Sequence, residues 1–336
     1  AYNGNVRFLR RFIELGGDLR RRNEDGRVAL HMAAIGGSKD CIEAILSNSC
    51  DAVLYKDSIG EIPAQLACKY NQSHILHLLI DGDVWDQNSD DGRTLFHTAC
   101  YGNNLDDVLT ICRRLPQQKS EFYERKDIYG MTGFLIAASS GNLDMIRTLI
   151  GKGVNFHAIT EDGENALHLT IFNNHRKATE YILSHDRQLN YQERLFQMRD
   201  IEGELPHFEL AKGKGSSELV KILLSNHQNF HELNRRRENV VHLFFYHKKN
   251  EHIQQVIDFY RIGPNQNRRY LRRIFNALGN ENNNCLHYAV LGNSIESIER
   301  FRSYLRDLIN QKNYHGWTPL ILSVRLGHFL CSNALL

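Results

Sequence analysis

Apolar positions along this chain fall into pairs of short helical phrases, and the pair returns about every 34 residues. The clearest first phrases read DGRVALHMAAIGG at 25–37, DGRTLFHTACYGN at 91–103, DGENALHLTIFNN at 162–174 and HGWTPLILSVRLG at 315–327. Each opens on a polar turn whose glycine suits a backbone with positive φ. Thr94, Thr132 and Thr318 then stand where a helix begins and a hydroxyl can accept from free N–H groups. Pro63 and Pro319 suit a first helical turn, which has no N–H to lose. A helix of seven to nine residues follows, closing at Gly37, Asn71, Asn103, Gly141, Asn174, Asn293 or Gly327, residues that tolerate the left-handed conformation. The second phrase carries apolar residues at helical spacing, as in Cys41, Ile42, Ala44, Ile45, Leu46 and in Met145, Ile146, Leu149, Ile150.

The turn glycines are Gly26, Gly60, Gly92, Gly130, Gly163, Gly203 and Gly316, with Arg237 and Asn282 in register where glycine is missing. Their spacings of 34, 32, 38, 33, 40, 34, 45 and 34 residues leave no room for a separate globular domain. One such repeat cannot bury its own apolar stripe, so the core must come from stacked neighbours. The expected organisation is one all-α array over 1–336. Eight full helix-turn-helix repeats fall at 22–55, 56–87, 88–125, 126–158, 159–198, 199–232, 233–277 and 278–311, with partial repeats at 1–21 and 312–336. Longer connections near Pro116–Arg125, His185–Phe196 and Arg261–Phe275 add about 4, 6 and 11 residues, and such insertions map to loops on one face. The period, the glycine and the helix pattern after it resemble the ankyrin repeat. That resemblance implies a right-handed solenoid of helix pairs with hairpin-like fingers, acting as a protein-binding scaffold. The chain opens without Met in the latter half of a repeat and closes inside a second helix, as expected of a segment of a longer array.

Composition narrows the function classes. Basic residues number 41 and acidic ones 39, a net charge of +2, so no global field points to nucleic acid. No apolar run approaches the ~20 residues that span a bilayer, and the start carries no signal-peptide pattern. Seven cysteines, at 41, 50, 68, 100, 112, 285 and 331, form no CxxC pair. Cys68 and Cys100 each follow an alanine at a small core position, as reduced buried thiols of a cytoplasmic protein do.

Candidate chemistry is sparse. His31, His97, His168, His242 and His287 each stand five residues after an anchor. Stacked repeats hold them ~10 Å apart, too far to share one ion, so each is expected to bond turn backbone in its own repeat. The pairs His74/His77 and His227/His231 lack a Glu or Cys at zinc-enzyme spacing. Lys212-Gly213-Lys214-Gly215-Ser216-Ser217 is superficially similar to a phosphate loop, but it misses the GxxxxGK[ST] pattern and lies between two helices. The expectation is no enzyme, no cofactor and no metal.

Two surfaces remain as contact candidates. Nine or ten residues past their anchors, Tyr70, Tyr101, Phe172 and Tyr246 put aromatic rings at half-exposed positions of the first helices. Aromatics so placed are the usual anchors of an interface, against an alternative of ordinary surface variety. The residue after the turn glycine varies from Arg27 and Arg93 to Glu164, Glu204 and Glu238 to Trp317, which suggests a partner laid along several repeats. The longest insertion reads NQNRRYLRRIF at 265–275, where Arg268, Arg269, Arg272 and Arg273 alternate with Tyr270, Leu271, Ile274 and Phe275. Such a basic amphipathic helix docks on an acidic peptide or an anionic headgroup, or else packs its apolar side inward with solvated arginines. The leading reading is a cytoplasmic, non-enzymatic scaffold for a protein partner. Gly37-Ser38-Lys39-Asp40-Cys41-Ile42-Glu43 and the irregular repeats look similar to ankyrin-type transient receptor potential channels, so the cytosolic arm of a membrane cation channel is the second reading. A substrate-selecting array of a larger enzyme or effector, or a ciliary or cytoskeletal component, is the third.

Overall fold

The computed structural model describes residues 1–80, 82–115, 117–188, 194–226, 229–261 and 267–336. Two compact regions divide the chain, Ala1–Glu161 and Asp162–Leu336. In the first, helix Val6–Glu14 precedes the pairs Ala29–Gly36 with Lys39–Leu46, Pro63–Lys69 with Ser73–Leu79, Leu95–Tyr101 with Leu105–Arg114, and Gly133–Ser140 with Leu143–Gly151. In the second, the first helices are Ala166–Phe172, Glu209–Lys212 with its 3-10 lead-in Pro206–Phe208, Val240–Tyr246, Cys285–Leu291 and Pro319–Arg325. Their partners are Arg176–Gln188, Ser217–Ser225, Asn250–Arg261, Ile295–Arg300 continued by Arg302–Leu305, and Phe329–Leu335. The third insertion builds an additional helix, Arg268–Phe275, while Asn265 and Gln266 lie outside the described residues. Among the described residues, no helix is long and apolar enough to cross a membrane.

Helices this short are marginal alone, so stacking supplies their stability. The first helices pack on one another in series, for example Ala29–Gly36 on Pro63–Lys69 and that helix on Leu95–Tyr101. Their small buried residues (Ala33, Ala34, Ala67, Cys68, Ala99, Cys100) allow close approach, while Leu30, Leu66 and Phe96 fill the space between. All seven cysteines are free, with Cys50 exposed and Cys112 half-buried. The turn glycines have φ between +72° and +78°, and Arg237 and Asn282 adopt the same left-handed conformation at +63° and +59°. At Gly130 a Cβ would stand 2.4 Å from the Glu161 nitrogen, so space as well as φ requires glycine there. The helix-closing Gly and Asn residues are left-handed as expected, and Lys248 joins them without any signal in its residue type.

The repeated histidines lock neighbouring repeats together. His31 Nδ1 accepts the Val28 N–H at 3.2 Å, and its Nε2–H donates to the Glu61 carbonyl of the next repeat at 3.1 Å. His97, His168, His242 and His287 repeat this with the carbonyls of Met131 (2.9 Å), Glu204 (3.2 Å), Ala277 (3.0 Å) and Trp317 (2.9 Å). The expectation of bonds inside one repeat therefore accounts for Nδ1 only. Stacking carries the next repeat's backbone over the far ring nitrogen. Burial favours the neutral ring in all five, lowering their pKa values, with His168 and His242 down to about 4. At the matching position Gln65 makes the same two bonds, accepting from Ile62 N–H at 3.0 Å and donating to the Arg93 carbonyl at 2.9 Å. In the second region the N-cap asparagines add a further tie. Asn165, Asn239 and Asn284 donate from Nδ2 to the carbonyls of Leu195 (2.7 Å), Ile274 (3.0 Å) and Leu308 (3.0 Å).

Candidate partner-binding surface

The residue three before the turn glycine organises each finger. Asp57 Oδ1 accepts the N–H groups of Ile59 (3.1 Å) and Glu61 (2.9 Å), and Asp127, Asp200, Asn234 and Asn313 repeat the arrangement. Sequence reasoning missed this position, although Asp or Asn at a fixed offset from a turn glycine was the available signal. Adjacent fingers then join through backbone. Ser58 N–H donates to the Asp25 carbonyl at 2.9 Å and Ile128 N–H to that of Asp91 at 3.2 Å in the first region. In the second, Ile201 N–H donates to the Asp162 carbonyl at 2.9 Å. On this fixed backbone the residues just before the glycine project outward. Ile59, Ile128 and Tyr129 in the first region, and Ile201 and Tyr314 in the second, are 47–78% exposed.

The residue just after the glycine turns inward instead. Arg27 Nε pairs with the buried Asp57 at 3.2 Å. Glu204 and Glu238 are buried, both accepting from Asn234 Nδ2, and Glu238 also from the Tyr288 hydroxyl at 2.8 Å. Arg93 reaches Asp91 at 2.8 Å, and Trp317 lies under the Arg325 guanidinium at 4.3 Å. Their chemical variety along the chain thus serves contacts within and between repeats.

Tyr70, Tyr101, Phe172 and Tyr246 sit at the ends of their first helices with 39–45% of their surface exposed. Tyr101 is the most firmly held. Its hydroxyl donates to Asp127 Oδ2 at 3.1 Å, and the Arg93 guanidinium covers one ring face at 4.3 Å. Burial, reinforced by Asp127, pushes its phenol up to about 12. Tyr70 and Tyr101 belong to successive packed helices of the first region. Phe172 and Tyr246 belong to the second, where Gly213 and Gly292 pack against their carbonyl oxygens so closely that a Cβ would clash at 2.5 and 2.0 Å. The four arginines of helix Arg268–Phe275 are all exposed, while Leu271, Ile274 and Phe275 are buried. Among the described residues none of the four makes an ion pair.

One acidic cluster among the described residues, Asp200, Glu204 and Glu209, is close enough to grip a cation. The Lys212 ammonium already reaches Glu204, stands 3.2 Å from Glu202 and lies 4.0 Å from Glu209. Burial pushes the Glu209 carboxyl up to about 8 despite that lysine. The stretch similar to a phosphate loop is likewise occupied. Lys214 N–H donates to the Phe172 carbonyl at 2.7 Å and Ser216 N–H to Asn174 Oδ1 at 2.9 Å, so neither is offered to a ligand. His231 hydrogen-bonds Tyr270 at 2.9 Å, and His227 lies outside the described residues.

The family model for ankyrin repeats (3 copies) matches residues 1–88 and 109–193, just over half of the chain. The chain belongs to the ankyrin-repeat family. The solved ankyrin repeat domain of Bcl-3 superimposes with a TM-score of 0.51 at 19% identity, covering 66% of this chain and 94% of that one, and shows the shared ankyrin fold. A transient receptor potential cation channel subfamily A member 1 homolog of Caenorhabditis elegans is 26% identical over 191 residues, 56% of this chain and 15% of the channel. The mitochondrial liver isoform of glutaminase from Rattus norvegicus is 35% identical over 81 residues, 24% of this chain and 14% of that protein. This ankyrin chain therefore spans less than a fifth of either curated relative.

Proposed function

We propose that this ankyrin array is a non-enzymatic cytoplasmic scaffold that binds a protein partner over its finger tips and the aromatic ends of its first helices. The carrying observation is the exposure of Ile59, Ile128 and Tyr129 beside Tyr70 and Tyr101, on backbone fixed by Asx turns and inter-finger bonds. Solvated turns favour polar residues; apolar ones on a rigid finger are what an interface core requires. The exposed arginine face of helix Arg268–Phe275 is assigned to an acidic peptide segment or an anionic headgroup. Replacing Tyr101 and Phe172 with Ala should weaken capture of the native partner at least tenfold while helical circular dichroism stays nearly unchanged. Lost helicity would make both rings core residues and sink the reading.

The second reading, the cytosolic arm of a membrane cation channel, draws support from the 191-residue similarity to the Caenorhabditis elegans channel. Fractionation of native tissue tests it. Carbonate-resistant membrane association of the endogenous protein supports a channel, and recovery in the soluble fraction counts against one.

A further inference from the structure

Helix Arg268–Phe275 and the segment Ser303–Asp307 line a half-open cavity of about 360 Å³ in the second region. Its lining combines the buried pair Leu271 and Phe275 with three arginines, Arg261, Arg268 and Arg272. Arg268 and Arg272 are four residues apart and so share one helix face. Arg261 enters from the preceding helix Asn250–Arg261 and is steadied by the Tyr304 hydroxyl, to which Nη1 donates at 2.7 Å. Among the described residues Asp307 is the one carboxylate of the lining, which sets three arginines against one negative charge.

We infer that this cavity binds a small organophosphate carrying at least two phosphoryl charges. The inference rests on reading the basic helix as an anion contact, and not on the aromatic finger surface. A guanidinium fork donates in pairs to phosphate oxygens, and forks arriving from two helices suit an anion with several oxygens better than a planar carboxylate. Two excess positive charges match at least one phosphoryl dianion, whereas a monoanion leaves one unbalanced. The volume lies within the range of small-ligand sites, and the apolar pair provides a surface for the organic part. Arg269, on the same helix, does not line the cavity. It separates a built pocket from a merely basic helix.

The test is calorimetric titration of the chain with inorganic pyrophosphate and with inositol 1,4,5-trisphosphate. Vesicles of phosphatidylcholine containing phosphatidylinositol 4,5-bisphosphate supply the membrane-bound form of the same chemistry. Saturable binding that falls at least tenfold in the Arg268→Gln/Arg272→Gln double variant, but less than twofold in Arg269→Gln, is the expected result. All three sites are exposed, and matching circular dichroism of the variants excludes unfolding as the cause. Co-sedimentation with the vesicles, under the same variant dependence, assigns the ligand to a headgroup; its absence assigns it to a soluble phosphate. No saturable binding of either soluble probe, or an equal loss in Arg269→Gln, overturns the inference, even if the finger surface still captures its partner.

Discussion

His242 offers a direct test of the lock between repeats, because the chain contains its own control. The ring is fully buried, accepts the Asn239 N–H at 3.1 Å, donates to the Ala277 carbonyl at 3.0 Å and stacks on Tyr288 at 4.8 Å. Truncation to Ala strands both backbone groups and removes the ring contact, which together cost about 3 kcal/mol. Gln65 makes the equivalent two bonds elsewhere, so His242→Gln should cost below ~1.5 kcal/mol. The variants also differ in pH response. Burial holds the folded pKa near 4, below the ordinary 6.5, so the unfolded chain takes up the proton first as pH falls. Stability contributed by the neutral ring is complete above 6.5 and drains away towards pH 4. Between pH 7 and 5 that loss amounts to about 2 kcal/mol for this one residue. Urea titrations followed by circular dichroism at both pH values should show His242→Gln losing about 2 kcal/mol less than wild type on acidification. A Gln variant as damaged as the Ala variant, or an unchanged pH response, would refute the lock.

Other sites give independent tests. Arg237→Gly should raise stability by about 1 kcal/mol in chemical denaturation, since Arg237 stands at φ +63° in a register that holds glycine at 26, 60, 92, 130, 163, 203 and 316; a loss would show that its side chain matters more than its backbone. The buried Glu209 has its carboxyl raised to about 8, so its protonated form fits the fold, and its contribution is lost as pH climbs from the ordinary 4.5 through 8. Glu209→Gln mimics that form and should stabilise the protein at pH 9 by about 1–2 kcal/mol in thermal denaturation. Destabilisation at pH 9 would mean that the charge itself is needed, for instance to hold Lys212.

The ankyrin fold was legible because its signals are local. Glycine at fixed register demands positive φ, and the helix-closing Asn and Gly residues fell where the left-handed positions are. What the sequence withheld was direction across the stack. The offset of His97 says nothing about Met131, thirty-four residues on, until stacking brings that carbonyl to the far ring nitrogen. The finger is the same case. Glu204 and Glu238 read as exposed tip residues, yet the Asx turns at Asp200 and Asn234 rotate them inward, and the turns at Asp57, Asp127 and Asp200 leave Ile59, Ile128 and Ile201 outward. The half-exposure of Tyr70, Tyr101, Phe172 and Tyr246 was readable from helical phase alone. The cavity beside Arg268 and Arg272 was not, because its other wall, at Ser303–Asp307, is distant in sequence.

The central claim, that the fingers and the ends of the first helices form the partner-binding face, is tested most directly by site-specific photo-crosslinking in native extract. A photoreactive residue placed at Tyr101 or Ile128 should trap one protein of defined mass, whereas the same residue at the exposed second-helix position His77 should not. Trapping of that protein at His77 and not at Tyr101 or Ile128 would contradict the account.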